Sequence, residues 1–330
     1  MATVLTTKFG RSLARGLSEG FAAPLVVIAV FAVMVARGIW LLPEGYDGTG
    51  GMTTTFLFFI GVWAIAMAAR CAEPTSKLAA GVVTFCLFSL LSMIAALAAA
   101  ANAIGGGEYI DPELVRIDAL LFPFYDWQAV ALSLPRFETL YWAMNKVYNS
   151  LEWQPVVFIL AAAWLGQVRD MGAFITAWGL GLLACIAPFH WFPALSPVPY
   201  YGIGRADLPD HMTDLPWRFL PVMEGMRDGS IRAIETQCLT GMVTVPSFHA
   251  CAATILAWAF WRYPLLRWPF LSLNIGMALA AVPIGSHYII DIVAGIAVGL
   301  LAAYSATLLG RLPLEKRRSV ARASAALEPA

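Results

Sequence analysis

Residues 78–104 run LAAGVVTFCLFSLLSMIAALAAAANAI, 27 positions without one Asp, Glu, Lys or Arg. About 20 consecutive apolar residues cross the hydrocarbon core of a bilayer, and a helix that is greasy all round has no stable place on a soluble surface. This stretch is a membrane helix, and it has company. Comparable runs lie at about 21–43, 54–71, 138–165, 171–191, 248–263, 265–284 and 288–310. The expected fold is therefore all-α, a polytopic membrane bundle of about eight transmembrane helices. Composition agrees: of 330 residues 60% are hydrophobic and 13% charged, with a mean hydropathy of +0.72. One or two soluble domains of that length could not hide so much apolar surface.

The 21 basic and 21 acidic residues cancel, so there is no basic field to draw nucleic acid, which is excluded as a partner. Cys71, Cys86, Cys185, Cys238 and Cys251 show no CxxC spacing and read as small core residues. The first run follows Lys8, Arg11 and Arg15 but lacks a small-residue cleavage site, so it reads as a retained helix rather than a signal peptide.

Eight spans put both termini on one side. If that side is the cytoplasm, its segments hold 13 of the 21 basic residues, among them Arg70, Lys77, Arg169, Arg262, Arg267 and the tail cluster from Arg311 to Arg322. They hold only five acids: Glu19, Glu73, Asp170, Glu315 and Glu328. The alternation obeys the positive-inside rule loop by loop. Trp40, Trp153, Trp191 and Trp217 fall near span ends, as interfacial anchors do.

Two stretches do not span. Residues 105–137 open on Gly105, Gly106 and Gly107 and then mix Glu108, Asp111, Glu113, Asp118 and Asp126 with Leu and Phe, which suits an amphipathic helix at the outer interface. The segment 127–165 is long enough to hide an interfacial or re-entrant helix. Residues 192–246 form a long connection, rich in proline at first, and loops of that length are usually functional.

On this topology all four histidines, His190, His211, His249 and His287, fall on or near the outer face. His249 closes the run Pro246-Ser247-Phe248-His249 at the mouth of the sixth span, and His287 stands at the mouth of the eighth, four residues before Asp291. On a helix that spacing stacks the two side chains on one face. A carboxylate inside a span is costly and marks a functional site by default. Asp291 would accept the ring N–H of His287 and leave the other nitrogen as a nucleophile, while His249 would handle a second proton. Ser247 can cap a helix whose free N–H groups would receive phosphate oxygens. A His–Asp pair also serves as a proton relay or a polar bridge between helices. His249, His287, Asp291 and His211 could in principle hold a metal, but without an acidic ligand cluster none is expected. His190 and His211 read as loop or interface residues.

Pro246-Ser247-Phe248-His249, with His287 and Asp291 in H-x-x-x-D spacing, resembles the second and third signature motifs of the phosphatidic acid phosphatase type 2 superfamily. Phe248, where the phosphatases usually have Gly, resembles the inositol phosphorylceramide synthase-like (inositolphosphotransferase) branch. So do Phe192-Pro193-Ala194 and the Arg227-Asp228-Gly229 turn. The resemblance covers roughly residues 110–310 and implies a six-helix-type phosphatase or phosphotransferase core. It also implies a phosphohistidine on His287, orientation by Asp291 and leaving-group protonation by His249, with no metal or other cofactor.

Two departures stand out. Ala280 and Ala281 occupy the positions of the family's Ser-Arg pair ahead of the nucleophile. The first motif, K-x6-R-P, is not intact either, since Lys146 lies eight residues before Gln154, which precedes Pro155. The phosphate clamp must therefore come from Lys146, Arg227 or Arg232, with Gln154 and Ser247 also expected at the substrate.

The chain accordingly divides into an N-terminal membrane module of three helices (1–104), a catalytic core (105–310) and a basic, disordered cytoplasmic tail (311–330). The expected activity is transfer of a phospho-headgroup from a membrane phospholipid donor to a lipid alcohol or water, on the periplasmic, extracellular or lumenal face. Hydrolysis of a lipid phosphate or isoprenoid diphosphate is the alternative reaction. A transporter or scaffold that kept the fold without the chemistry is the alternative outside enzymology.

Overall fold

A computed structural model describes residues 22–41, 50–73, 75–205, 215–234, 238–284 and 286–311. The N-terminal basic segment, His211 and the tail beyond residue 311 lie outside them. Among the described residues the chain is helical, with no strand.

Three long helices come first: α1 (Ala22–Leu41), α2 (Gly50–Ala72) and α3 (Lys77–Ala103). Ser76 caps α3, its hydroxyl accepting the Ala79 N–H at 3.3 Å. Past the glycine turn come the amphipathic α4 (Asp111–Leu121) and the short α5 (Trp127–Ser133), then α6 (Glu138–Tyr148), α7 (Gln154–Trp164) and α8 (Val168–Ile186). The long connection contributes α9 (Pro197–Tyr200), α10 (Leu215–Arg218) and α11 (Leu220–Asp228). Gly229 ends α11 in the left-handed conformation at φ 79°, which a side chain would resist. The last helices are α12 (Phe248–Phe260), α13 (Arg267–Ala280) and α14 (Ile289–Arg311).

Five of these helices, α1, α2, α3, α8 and α14, are long and apolar enough to cross a membrane. The other three apolar runs of the sequence appear as shorter helices. The 138–165 run is cut in two: α6 ends at Tyr148, a 3-10 turn follows over Asn149–Glu152, and α7 restarts with Pro155 in its first turn, where the missing N–H is harmless. Helices α12 and α13, with 13 and 14 residues, fall short of the roughly 20 a straight span requires.

One apolar core runs through the bundle, from Phe31 of α1 through Leu91 and Phe174 to Ile255 and Ala306. Helix α3 is its hub, packing against α1 and α2 and also against α7 and α8. Helix α12 lies against α14. Gly295 and Gly299 allow this approach: a Cβ at Gly295 would run into the Ser247 carbonyl, and one at Gly299 would come within 2.7 Å of the Cys251 carbonyl. Cys86, Cys185, Cys238 and Cys251 are buried thiols within the bundle. Trp40, Trp153 and Trp191 are exposed at or near helix ends.

Candidate active site

Close packing of α12 on α14 brings their N-termini together, and each carries a histidine at its mouth. Ser247 is the N-cap of α12, its hydroxyl accepting the Ala250 N–H at 3.3 Å, while its own N–H donates to the Asp291 carbonyl at 3.1 Å. The first N–H groups of such a helix, those of Phe248 and His249, have no intrahelical acceptor. The His249 and His287 rings lie 6.0 Å apart, centroid to centroid, with planes tilted by 60°. The structure thus brings His249, His287, Asp291 and Ser247 together.

The orientation of His287 differs from the sequence expectation. Its Nδ1 lies 2.9 Å from the carbonyl oxygen of Thr244, whereas Asp291 Oδ2 stands at 3.6 Å, beyond hydrogen-bond length. A carbonyl oxygen only accepts, so Nδ1 carries the proton and Nε2 is left with its lone pair. Asp291 is wholly buried and uses Oδ2 to accept the Tyr288 N–H at 2.9 Å; its Oδ1 has no partner among the described residues. The carboxylate therefore acts on the imidazole as a nearby charge, and the tautomer is set by the backbone of residue 244.

His249 is held differently. The Tyr148 ring stacks on it with centroids 4.0 Å apart and planes within 14°. The Tyr148 hydroxyl is 3.1 Å from His249 Nδ1, but between near-parallel rings that contact lies over the imidazole face rather than in its plane. Tyr148 is thus foremost a platform that fixes the ring plane. Ser286, just before His287, is within hydrogen-bond reach of the same hydroxyl.

Helix α4 holds the turn that carries His287. Asp118 caps α14 from outside its own segment, its two carboxylate oxygens accepting from Ile289 N at 2.8 Å and Ile290 N at 2.9 Å. Asp111 accepts from the Tyr288 hydroxyl and from Leu195 N, each at 2.8 Å. Burial pushes both carboxyls above the usual Asp range, and these hydrogen bonds offset part of the rise. The Thr244 hydroxyl donates to Ala194 O at 3.0 Å, tying the Phe192-Pro193-Ala194 stretch to the residue that orients His287. Beyond it, Ser196 is buried at φ 77° with no partner for its hydroxyl among the described residues. That strain sits beside the candidate site.

The expected cationic clamp is not assembled around the histidines. Arg227 donates to Gly107 O at 2.8 Å and lies over the Tyr109 ring at 4.5 Å; its Nη1 is buried without a partner among the described residues. Arg232 is exposed beyond Gly229. Lys146, also exposed, rests its ammonium over the Trp142 ring at 5.8 Å, two residues before Tyr148 on α6. Gln154 is consumed inside the bundle, donating to Ser150 Oγ at 2.7 Å and accepting from Asn274 Nδ2 at 2.9 Å. His190 stands apart: Nδ1 meets the Asn102 carbonyl at 3.0 Å, so Nε2 accepts from Arg37 at 3.2 Å.

Sequence reading missed Thr244, Tyr148, Asp111, Asp118 and Tyr288. Thr244 acts through its backbone, which leaves no signal in residue type. The acids left one: Asp111 and Asp118 are seven apart, hence on one helix face, and Leu114 and Val115 share that face.

A family model described as the PAP2 superfamily matches residues 112–305, the stretch that holds every residue of this cluster except Asp111. No curated protein and no solved structure matches the chain.

Proposed function

We propose a function from one established fact: this chain belongs to the PAP2 superfamily. Its described residues are helical, with several helices long and apolar enough to cross a membrane, consistent with a lipid phosphatase or phosphotransferase. The finer reading is that it moves the phospho-headgroup of a membrane phospholipid through a phosphohistidine on His287, in the manner of the inositolphosphotransferase-like branch. The carrying observation is the 2.9 Å contact of His287 Nδ1 with the Thr244 carbonyl, which assigns the proton to Nδ1 and leaves Nε2 free to attack.

In the first half-reaction Nε2 forms a bond to phosphorus while the bond from phosphorus to the leaving oxygen breaks. His249 gives that oxygen a proton. In the second half His249 takes the proton of an acceptor hydroxyl, whose oxygen attacks phosphorus and breaks the P–N bond. Asp291 steadies the positive charge that grows on His287, and the N–H groups opening α12 face the phosphoryl oxygens. A lipid alcohol as acceptor gives transfer, and water gives hydrolysis.

The branch assignment is supported by two local facts. Phe248, next to His249, packs edge-on against Trp178, with centroids 5.2 Å apart, and Ala194 is bonded to Thr244, so two of the three branch-like stretches abut the histidine pair. The charge asymmetry of the loops supports a site on the outer face with cytoplasmic termini. Residues 105–310 are then the catalytic core, and the helices within 1–104 form a module attached through α3.

The test is to incubate purified protein with phosphatidylinositol and other glycerophospholipids, with and without ceramide, and to follow products by mass spectrometry. Headgroup transfer to ceramide is expected. Diacylglycerol released together with the free phospho-headgroup, inositol phosphate from phosphatidylinositol, in place of a headgroup-bearing ceramide would mean hydrolysis, and unchanged lipid with every donor would reject the enzyme reading.

A further inference from the structure

A cavity of about 350 Å³ opens between α4, the turn leading into α5 and the N-terminus of α14. Its volume is in the range of small-molecule sites, roughly 300–1,000 Å³. The histidine pair is not in its lining, but Tyr288 and Ile289, which immediately follow His287, form one wall. The cavity is therefore a neighbour of the candidate active site and not the site itself.

Its chemistry is distinctive. Phe122, Tyr125, Trp127, Tyr201 and Tyr288 present aromatic surface, and the only charged residues in the lining are Asp118 and Asp126. Trp127 is anchored by its indole N–H on the Val282 carbonyl at 3.3 Å and stacks with Tyr201, centroids 5.4 Å apart and planes within 15°. The Tyr125 hydroxyl is buried with no partner among the described residues. Burial and the neighbouring Asp118 push that phenol up to about 12, so it stays protonated. The two carboxylates bear on Tyr201 as well, raising its phenol after burial and Tyr200 have done so.

A phosphate would meet two carboxylates and no cation here. A neutral polyol would find few free acceptors, since Asp118 is committed to Ile289 and Ile290, and Asp126 Oδ1 to the Ala129 N–H at 3.0 Å. A quaternary alkylammonium has no N–H to satisfy and needs only aromatic faces and nearby negative charge. We propose that this cavity binds an alkylammonium group, held by the aromatic walls and the Asp126 carboxylate beside the turn that carries His287. Only the assignment of that cation to a lipid headgroup rests on the proposed phosphotransfer; the binding itself does not.

The experiment titrates choline against the full chain in maltoside micelles by saturation-transfer NMR. It is run in parallel on His287→Ala, where no turnover can intervene. Choline should bind saturably to both, and its uncharged isostere 3,3-dimethyl-1-butanol about tenfold more weakly or worse. Asp126→Asn keeps a good helix cap but removes the charge, and should weaken choline by about three- to tenfold with the fold intact. Equal binding of the isostere, indifference to Asp126→Asn, preference for myo-inositol, or no saturable choline binding would each overturn the site. Displacement of choline by phosphatidylcholine in mixed micelles would identify the source as a lipid headgroup. Binding of choline without such displacement would uphold the site for a free cation.

Discussion

His287 donates its Nδ1–H to the carbonyl oxygen of Thr244 across 2.9 Å. A backbone acceptor cannot be protonated or substituted away, so the tautomer is built into the path of the chain before α12. Asp291, at 3.6 Å, is left to supply charge.

Asp291→Asn is therefore expected to be milder than the loss of a carboxylate that holds the ring directly, which costs about 10⁴ in turnover when the wrong tautomer results. With the tautomer kept by Thr244, only the stabilisation of the charged imidazole is lost, and kcat should fall by about 10². Single-turnover rates measure this. Full activity would remove Asp291 from the chemistry; a fall near 10⁴ would mean that it replaces Thr244 as the partner during the reaction.

The two histidines should separate kinetically. His287→Ala should abolish any acid-labile phosphoenzyme trapped from radiolabelled donor. His249→Ala should still form it, slowly, and should recover with a nitrophenyl phosphate whose leaving group needs no proton. Phosphoenzyme that survives in His287→Ala would move the nucleophile elsewhere.

Tyr148 offers a test of what stacking does. If the ring plane of His249 is held by the aromatic face, Tyr148→Phe should keep most of kcat, while Tyr148→Ala should lose about tenfold or more through misorientation. If Phe is as damaging as Ala, the hydroxyl is the working group.

The helical bundle and the histidine pair were legible because each rests on a pattern of residue type: long apolar runs with few charges for the five span-length helices, and Ser247, His249, His287 and Asp291 for the candidate site. The break at Asn149–Glu152 was legible only in part: the length of 127–165 left room for an interfacial helix, but the apolar residues of the amphipathic α6 let it be drawn with α7 as one run. Thr244 was invisible for a different reason, because its contribution is a carbonyl. Asp111 and Asp118 look like the solvent face of an interfacial helix until α14 is placed against α4. Arg227 follows a family-like turn, yet its guanidinium is engaged by Gly107 and Tyr109, because what it touches depends on where the Gly105–Gly107 turn is folded.

Burial raises the carboxyls of Asp111 and Asp118 above their ordinary value of 3.8. Between that value and the raised ones the folded chain binds more protons than the unfolded chain, so these groups favour folding increasingly as pH falls through the window. The contribution is complete below the unfolded value and is lost as pH rises through the folded one. Asp118→Asn cannot take part, so its Tm relative to the wild type should decline as pH is lowered from about 7 to about 4. A difference independent of pH would mean that the folded and unfolded carboxyls titrate alike.

The clamp is the last element to be placed, and we propose Lys146 ahead of the arginines because no hydrogen bond or ion pair to another described residue engages its ammonium. Lys146 is exposed on α6, the helix that ends in the tyrosine stacked on His249, and rests on Trp142; positions two apart face opposite sides of a helix, so its long flexible stem must reach around α6 to serve a phosphate at the histidines. Arg227 is already spent holding the Gly107 carbonyl. Lys146→Ala should lower kcat at saturating lipid by about tenfold to a hundredfold, with Lys146→Arg restoring much of it and Tm unchanged. Arg227→Ala should act chiefly on Tm by loosening the Gly105–Gly107 turn, and Arg232→Ala should do little. The decisive comparison is kcat against Tm across the three alanine variants. If Arg227→Ala loses more turnover than Lys146→Ala at equal stability, the 192–246 segment must close over the site with substrate bound and deliver Arg227, whose unpaired Nη1 would then be the phosphate donor.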